Sequence, residues 1–263
     1  MKQHILSLTF LTFLLMQPIF SQTNYRVKYD LKFQIDSTDT ENIDSDIMYL
    51  DIIKNEKSYF RSKSMFLKDS ILQSGNPQAL FSVTKPKFKY CIKKHYRSDE
   101  LEVYYDYTAF KFKLTQNVDL DWEITQDPTK DILGYKVNKA ITTFKGREYT
   151  AWYTNEIAIQ DGPYKFSGLP GLILELYDMK NHYHFKAISI QKISGYNSYS
   201  AVQDYKPITE KDFNEFEEKI KKKPSLILNN PGIQIPKEGL DKYDRNHRER
   251  DMHKNNPIEL TDE

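Results

Sequence analysis

The sequence predicts a β-rich protein built on a single strongly curved antiparallel sheet, half-barrel-like, with one C-terminal helix packed on it. Three observations carry this. Aromatic residues make up 14% of the chain, with 19 Tyr and 15 Phe against only 9 Gly, and Tyr, Phe and β-branched residues suit a pleated, half-buried surface. Apolar and polar residues alternate with period two over many short runs, the mark of strands with one wet side. One late segment has the caps and the periodicity of a helix.

The clearest strand is "NYRVKYDLKFQID" (24–36), in which Tyr25, Val27, Tyr29, Leu31, Phe33 and Ile35 alternate with polar neighbours. After the acidic turn "DSTDTENIDSD", the stretch "IMYLDIIKNEKSYFRSKSMF" reads as two strands around "KNEK". Residues 67–80 are ambiguous, and Gly75-Asn76-Pro77 interrupts whatever precedes it. "KFKYCIKKHY", "ELEVYYDY" and "FKFKLTQN" continue the strand pattern. In the second half, "ILGYKVNKAITTFKGREYTAWYT" predicts two strands turning at Lys145-Gly146, and "LILELYDMKNHYHFKAISIQKI" a hairpin across Asp178–Asn181. The predicted helix is 209–223: Thr209 caps it, acids lie in its first turns and lysines in its last, and Pro224 ends it. Phe213, Phe216 and Ile220 share one face, which should lie on the sheet.

The ends divide the chain into a leader (1–21), a β-rich domain (22–236) and a charged tail (237–263). The leader has Lys2, an apolar run from Ile5 to Met16, Pro18 and the small residue Ser21, the layout of a cleaved secretory signal. The run falls short of the about 20 residues a spanning helix needs, so the mature chain is expected not to span a membrane. The tail has too few apolar residues to fold alone, and Pro257–Leu260 is its part expected to touch something.

Removal of the leader takes Lys2 and no acid from totals of 38 basic and 37 acidic residues, leaving 37 against 37. Nucleic-acid binders carry a basic excess, so no nucleic acid is expected as partner. Cys91 is the single cysteine and can form no internal disulfide.

Backbone-special residues concentrate in "DGPYKFSGLPGLILELYD" (161–178). Leu169-Pro170-Gly171-Leu172 predicts a type II turn, Pro170 presetting a negative φ and Gly171 supplying a positive one. Gly168 suits a close approach of backbones. The turn feeds an apolar strand whose one charge, Glu175, faces outward or into a cavity. Gly168, Leu169, Pro170, Gly171, Leu172 and Ile173 are the candidate binding residues.

"GLPGLI" (168–173), flanked by "DGPYKFS" and "LELYD", resembles the signature of the GLPGLI family of exported Bacteroidetes proteins, and "ILGYKVNKA", "GREYTAWYTNEI" and the closing "NNPIEL" extend the likeness. The resemblance implies a Gram-negative envelope location, periplasmic or exported, and no defined activity. The succession of hairpins also looks like the half-barrel of periplasmic lipoprotein-carrier proteins.

The search for chemistry yields little. Phosphate loops, dinucleotide fingerprints, nucleophile elbows and metalloprotease helices are absent from the sequence, and Ser167 lacks the glycine spacing of a nucleophile. His182 and His184 would lie on the same side of a strand and could share a copper or zinc ion. Asp119, Asp121 and Glu123 alternate along an expected strand edge. Trp122 and Trp152 are expected in the core. No catalytic residue and no cofactor are called for. The expectation is therefore a non-enzymatic envelope protein that binds or carries an apolar ligand or serves an outer-membrane transport system. The alternatives are an interaction module docking through the GLPGLI corner and tail, or metal handling at His182 and His184.

Overall fold

The computed structural model describes residues 23–98, 100–107, 109–194, 204–228 and 235–260; the leader expectation, on residues 1–21, lies outside them. Thirteen strands form one open curved sheet that does not close into a barrel. They are β1 (Asn24–Phe33), β2 (Asp44–Ile53), β3 (Lys57–Ser62), β4 (Tyr90–His95), β5 (Glu100–Tyr107), β6 (Phe110–Asn117), β7 (Glu123–Ile124), β8 (Lys130–Ile132), β9 (Tyr135–Phe144), β10 (Arg147–Thr154), β11 (Leu172–Asp178), β12 (Tyr183–Ile193) and β13 (Lys206–Ile208). Three helices accompany them: α1 (Lys63–Gln73), α2 (Glu210–Lys222) and α3 (Lys237–Asp251).

β1 is the spine. It pairs antiparallel with β2 on one side and with β12 on the other. From it β2 to β6 run outward in chain order as one wing, and β12 back to β9 form the second. Among the described residues only β13 joins parallel, against β6. Several consecutive antiparallel neighbours are joined by short turns. Leu133-Gly134 (φ +54° and +82°) and Lys145-Gly146 (φ +45° and +73°) each place two positive-φ residues between paired strand ends, as a two-residue type I′ hairpin requires.

The two faces of the sheet are covered differently. One face carries Val27, Tyr29, Leu31, Met48, Leu50, Phe60, Ile92 and Phe185 in the main core. The opposite face holds a smaller cluster of Ile53, Tyr59, Met65, Cys91, Tyr104 and Tyr205. Helix α1, capped by the Ser62 hydroxyl accepting from Met65 N, resolves the ambiguous stretch before Gly75; it packs Met65 into this cluster and Phe66 against Tyr49, ring centroids 5.5 Å apart. Burial pushes the Cys91 thiol up to about 12, so it is an inert core residue.

Helix α2 forms where its caps predicted, and lays Phe213 on Tyr105 (4.1 Å) and Phe216 on Tyr107, Phe110 and Phe112 (5.2, 5.3 and 4.7 Å). The C-terminal segment adds a helix that the sequence did not announce. α3 docks through Asp244, buried and accepting from the Ser225 backbone N–H (2.6 Å) and hydroxyl (3.0 Å). The residues after it lie across the sheet: Asn256 and Pro257 accept from Arg147 at 2.6 Å each, Tyr183 donates to the Asn256 carbonyl (2.7 Å), and Leu260 N donates to the Lys145 carbonyl (3.1 Å).

Candidate functional site

Segment 155–171 connects β10 to β11 and lies over the core face instead of looping into solvent, with Asp161, Phe166 and Leu169 all buried. A buried loop must satisfy its backbone polar groups internally, and Lys94 of β4 meets that need. Its ammonium forms an ion pair with Asp161 and donates to the carbonyls of Gly162 (2.7 Å) and Phe166 (3.4 Å). All three ammonium protons are thereby engaged. The Asp161 carboxylate also accepts from Tyr96 Oη (2.6 Å) and Gly162 N (2.7 Å). Burial depresses the Lys94 pKa, and Asp161 opposes that shift. Tyr29 of the spine donates to the Ile173 carbonyl at 2.6 Å, and Trp122 Nε1 to that of Ser167 at 2.8 Å. The segment thus ties one wing of the sheet to the other.

The two glycines of the corner exchange the roles expected of them. Gly168 has the positive φ, +92°, and a side chain beginning there would meet only Trp122, in ordinary contact at 3.8 Å from its Nε1. Gly171 has φ +158°, far from the about +80° of a type II turn, and a Cβ there would stand 2.0 Å from the Thr154 carbonyl oxygen. Gly171 N donates to Leu169 O at 2.7 Å while Leu172 N reaches Ile157 O at 3.2 Å, so the corner is a three-residue turn and not the predicted four-residue one. Leu169, Gly171, Leu172 and Ile173 are buried; only Gly168 and Pro170 are exposed.

His182 and His184 have separate engagements. His182 Nδ1 lies 3.2 Å from Arg147 Nη1, and His184 Nε2 lies 2.9 Å from Glu175 Oε1. Among the described residues no group of three or more His, Cys, Asp or Glu side chains is placed to hold a metal ion. Glu175 is neither outward nor in a cavity: it is buried beneath Lys130 and His184. Burial would raise its pKa, but hydrogen bonds from His184 and Lys130 prevail and hold it at about 2. Asp119 and Asp121 are in coil, with only Glu123 on a strand. Trp122 and Trp152 pack half-buried against the main core.

Two clefts flank segment 155–171. The first, about 440 Å³, is lined by Ser167 and Gly168 of the corner, Lys94 and Tyr96 of the tie, and Glu100 and Asp119. Its floor is the self-satisfied Lys94–Asp161–Tyr96 cluster. The second, about 690 Å³, lies on the core face between β4, β5 and α2 and is paved by Phe88, Tyr90, Tyr105, Tyr107 and Tyr164. Tyr90 meets Phe88, Tyr105 and Tyr164 at 5.6, 6.5 and 5.7 Å between ring centroids, in tilted and edge-on contacts that fix the rings. Burial raises the phenol pKa of Tyr90, Tyr105 and Tyr107, so all are neutral donors at pH 7. Tyr107 donates to Glu217 at 2.9 Å and Tyr164 to Glu259. The hydroxyls of Tyr90 and Tyr105 take no partner among the described residues. Such a cleft, of ordinary ligand-site size with apolar walls and a few unspent polar groups, is the better ligand receptacle of the two. Reading the sequence one strand at a time missed it, because its tyrosines come from two strands and the loop 155–171.

No curated protein matches the chain by sequence. Two solved structures of PNGF-II, in space groups C2 and P21, superpose with TM-scores of 0.53 and 0.54 at 17% and 18% identity. They cover 74% and 76% of this chain but only 32% and 34% of PNGF-II, so the chain spans about a third of that protein's length. A domain from Vibrio parahaemolyticus, described as an outer-membrane lipoprotein-sorting protein, matches 68% of this chain and 90% of its own at 6% identity; its TM-score of 0.33 is too low to bear an argument for the half-barrel likeness. A family model described as "N-glycanase peptide, N-terminal domain" matches residues 73–213, more than half of the chain. The GLPGLI family is not the one found. The expectation of a non-enzyme is overturned by the family match, whose description is that of an N-glycanase domain. The chain belongs to the N-glycanase peptide, N-terminal domain family.

Proposed function

We propose that this protein serves glycan-directed chemistry in the cell envelope or outside the cell, with the tyrosine cleft receiving the oligosaccharide. The observation that carries the reading is the paving of a 690 Å³ cleft by Phe88, Tyr90, Tyr105 and Tyr107, with the hydroxyls of Tyr90 and Tyr105 unpartnered among the described residues. A sugar ring has apolar C–H faces and a hydroxyl edge, so it needs flat aromatic surface and hydrogen-bonding groups together; a lipid chain needs only the first. The expected apolar ligand thus gives way to a sugar, because the cleft joins its aromatic floor to a charged rim and to phenols unpartnered among the described residues. The family supports this through its N-glycanase description. The export reading rests on the leader-like first 21 residues, and among the described residues no helix is long and apolar enough to cross a membrane.

Calorimetric titration of a released N-linked oligosaccharide into the purified chain tests the proposal. Binding should weaken about tenfold in the double variant Tyr90→Phe/Tyr105→Phe, which removes two hydrogen bonds to ligand and none within the protein. Absence of binding at millimolar sugar, or equal binding by the double variant, would refute it.

A further inference from the structure

The rim of the tyrosine cleft is unevenly charged. Lys87, Lys89, Lys221 and Lys254 line it against Glu217 and Asp251. Three of the lysines have carboxylates: Lys87 pairs with Asp44 at 2.5 Å, Lys221 with Glu218 at 2.7 Å and Lys254 with Asp251 at 2.6 Å. Glu217 accepts from Tyr107. Lys89 has no carboxylate within ion-pair distance among the described residues. Its backbone is fixed, because its carbonyl accepts from Asp106 N at 3.0 Å. Its side chain is exposed at the cleft rim, where partial burial and the neighbouring charges of Lys254 and Lys85 lower its pKa while Asp106 and Asp251 act in the opposite sense from beyond pairing distance. A cation at the rim of a cleft, with no carboxylate paired to it among the described residues, is available to an anion arriving with the ligand. The free hydroxyls of Tyr90 and Tyr105 share its cleft.

We infer that the cleft selects oligosaccharides bearing an anionic substituent, with Lys89 paired to that group while the sugar rings lie on the tyrosines. The inference rests on the reading of the cleft as a glycan site and adds the class of glycan. A carboxylate of an acidic sugar and a sulfate ester offer the same chemistry to an ammonium.

The test is titration of the full chain, at pH 7 and low salt, with three matched N-glycans: neutral, sialylated and sulfated. An anionic ligand should bind about tenfold more tightly than the neutral one. A tighter sialylated ligand assigns the carboxylate, a tighter sulfated one the ester, and either supports the inference. Lys89→Gln should bring the anionic ligand to the affinity of the neutral one, and Lys89→Arg should restore the preference. Equal affinities for all three glycans would overturn the inference while leaving the glycan site standing. Failure of all three to bind would overturn the glycan site and the inference with it.

Discussion

The two clefts beside segment 155–171 contain similar groups used in opposite ways. In the polar cleft, Lys94, Asp161 and Tyr96 are engaged with one another and with the loop backbone. In the tyrosine cleft, Lys89 and the hydroxyls of Tyr90 and Tyr105 have no such partners among the described residues. A buried polar group that is satisfied within the protein rigidifies the fold and has nothing left for a ligand. An unsatisfied one at the wall of an open cleft costs little while water is present and becomes useful when a ligand replaces that water. The most conspicuous motif in the sequence therefore builds a brace, and a group of residues without any motif builds the receptacle.

The largest expected effect is at the brace's corner. Gly171→Ala places a Cβ 2.0 Å from the Thr154 carbonyl oxygen, a clash with backbone that no side-chain rotation relieves. The loss should be about 4 kcal/mol or more, in the range reserved for specific structural failures, and is read from the midpoint of chemical denaturation. Gly168→Ala makes only ordinary contact with Trp122, 3.8 Å away, and suffers the strain of φ +92°, about 1–2 kcal/mol. Equal losses at the two glycines would show that the corner is held by dihedral preference and not by close approach.

Next comes the tie itself. Asp161→Asn leaves the Lys94 ammonium buried without its counter-charge and should cost about 3–5 kcal/mol. The double variant Lys94→Met/Asp161→Asn should recover part of this, because the stranded charge is gone. A single variant as stable as the wild-type chain would mean that Lys94 gives up its proton readily, and the cluster would then contain a titrating base instead of a brace.

How far this was legible in the sequence follows from the range of the interactions. Strand alternation, the Thr209 cap and the Lys145-Gly146 turn are local signals, and each was readable. Helix α1 was not, because its first turn holds no acid and its last no base. The fold of the tail depends on Asp244 meeting Ser225 and Asn256 meeting Arg147, partners 19 and 109 residues apart. The glycine-rich corner was found, but its mechanism was inverted, since only the structure shows that Thr154 passes behind Gly171. Lys94 and Lys89 were ordinary surface-like lysines in a strand pattern; burial distinguishes the first and a missing counter-charge the second.

Acid should act through two carboxylates that hydrogen bonds hold ionised, Glu102 and Glu175. Burial raises the Glu102 pKa, yet hydrogen bonds from Lys93, Tyr104 and Lys113 outweigh it and bring the value to about 2, and Glu175 is likewise held at about 2. Both folded values lie below the ordinary glutamate value of 4.5, so the unfolded chain binds more protons in between. Their contribution is fully present above about pH 4.5 and is lost as pH falls towards 2. Glu102→Gln/Glu175→Gln should flatten the fall in unfolding free energy across that window, measured by denaturant titration at successive pH values. A slope unchanged by the double substitution would assign the acid sensitivity to other carboxylates.

The smallest effect on stability belongs to the open cleft. Lys89→Gln removes a charge that pairs with no carboxylate among the described residues, and its denaturation midpoint should stay within about 0.5 kcal/mol of the wild-type value. A small gain is the expected sign at low salt, because Lys254 and Lys85 lower the Lys89 pKa and their repulsion would be relieved. The comparison with Asp161→Asn is direct: both substitutions neutralise one charge beside the same loop, one inside a completed network and one outside it. Comparable losses in the two would mean that Lys89 too is structural, and the distinction between a cleft that braces and a cleft that binds would fail.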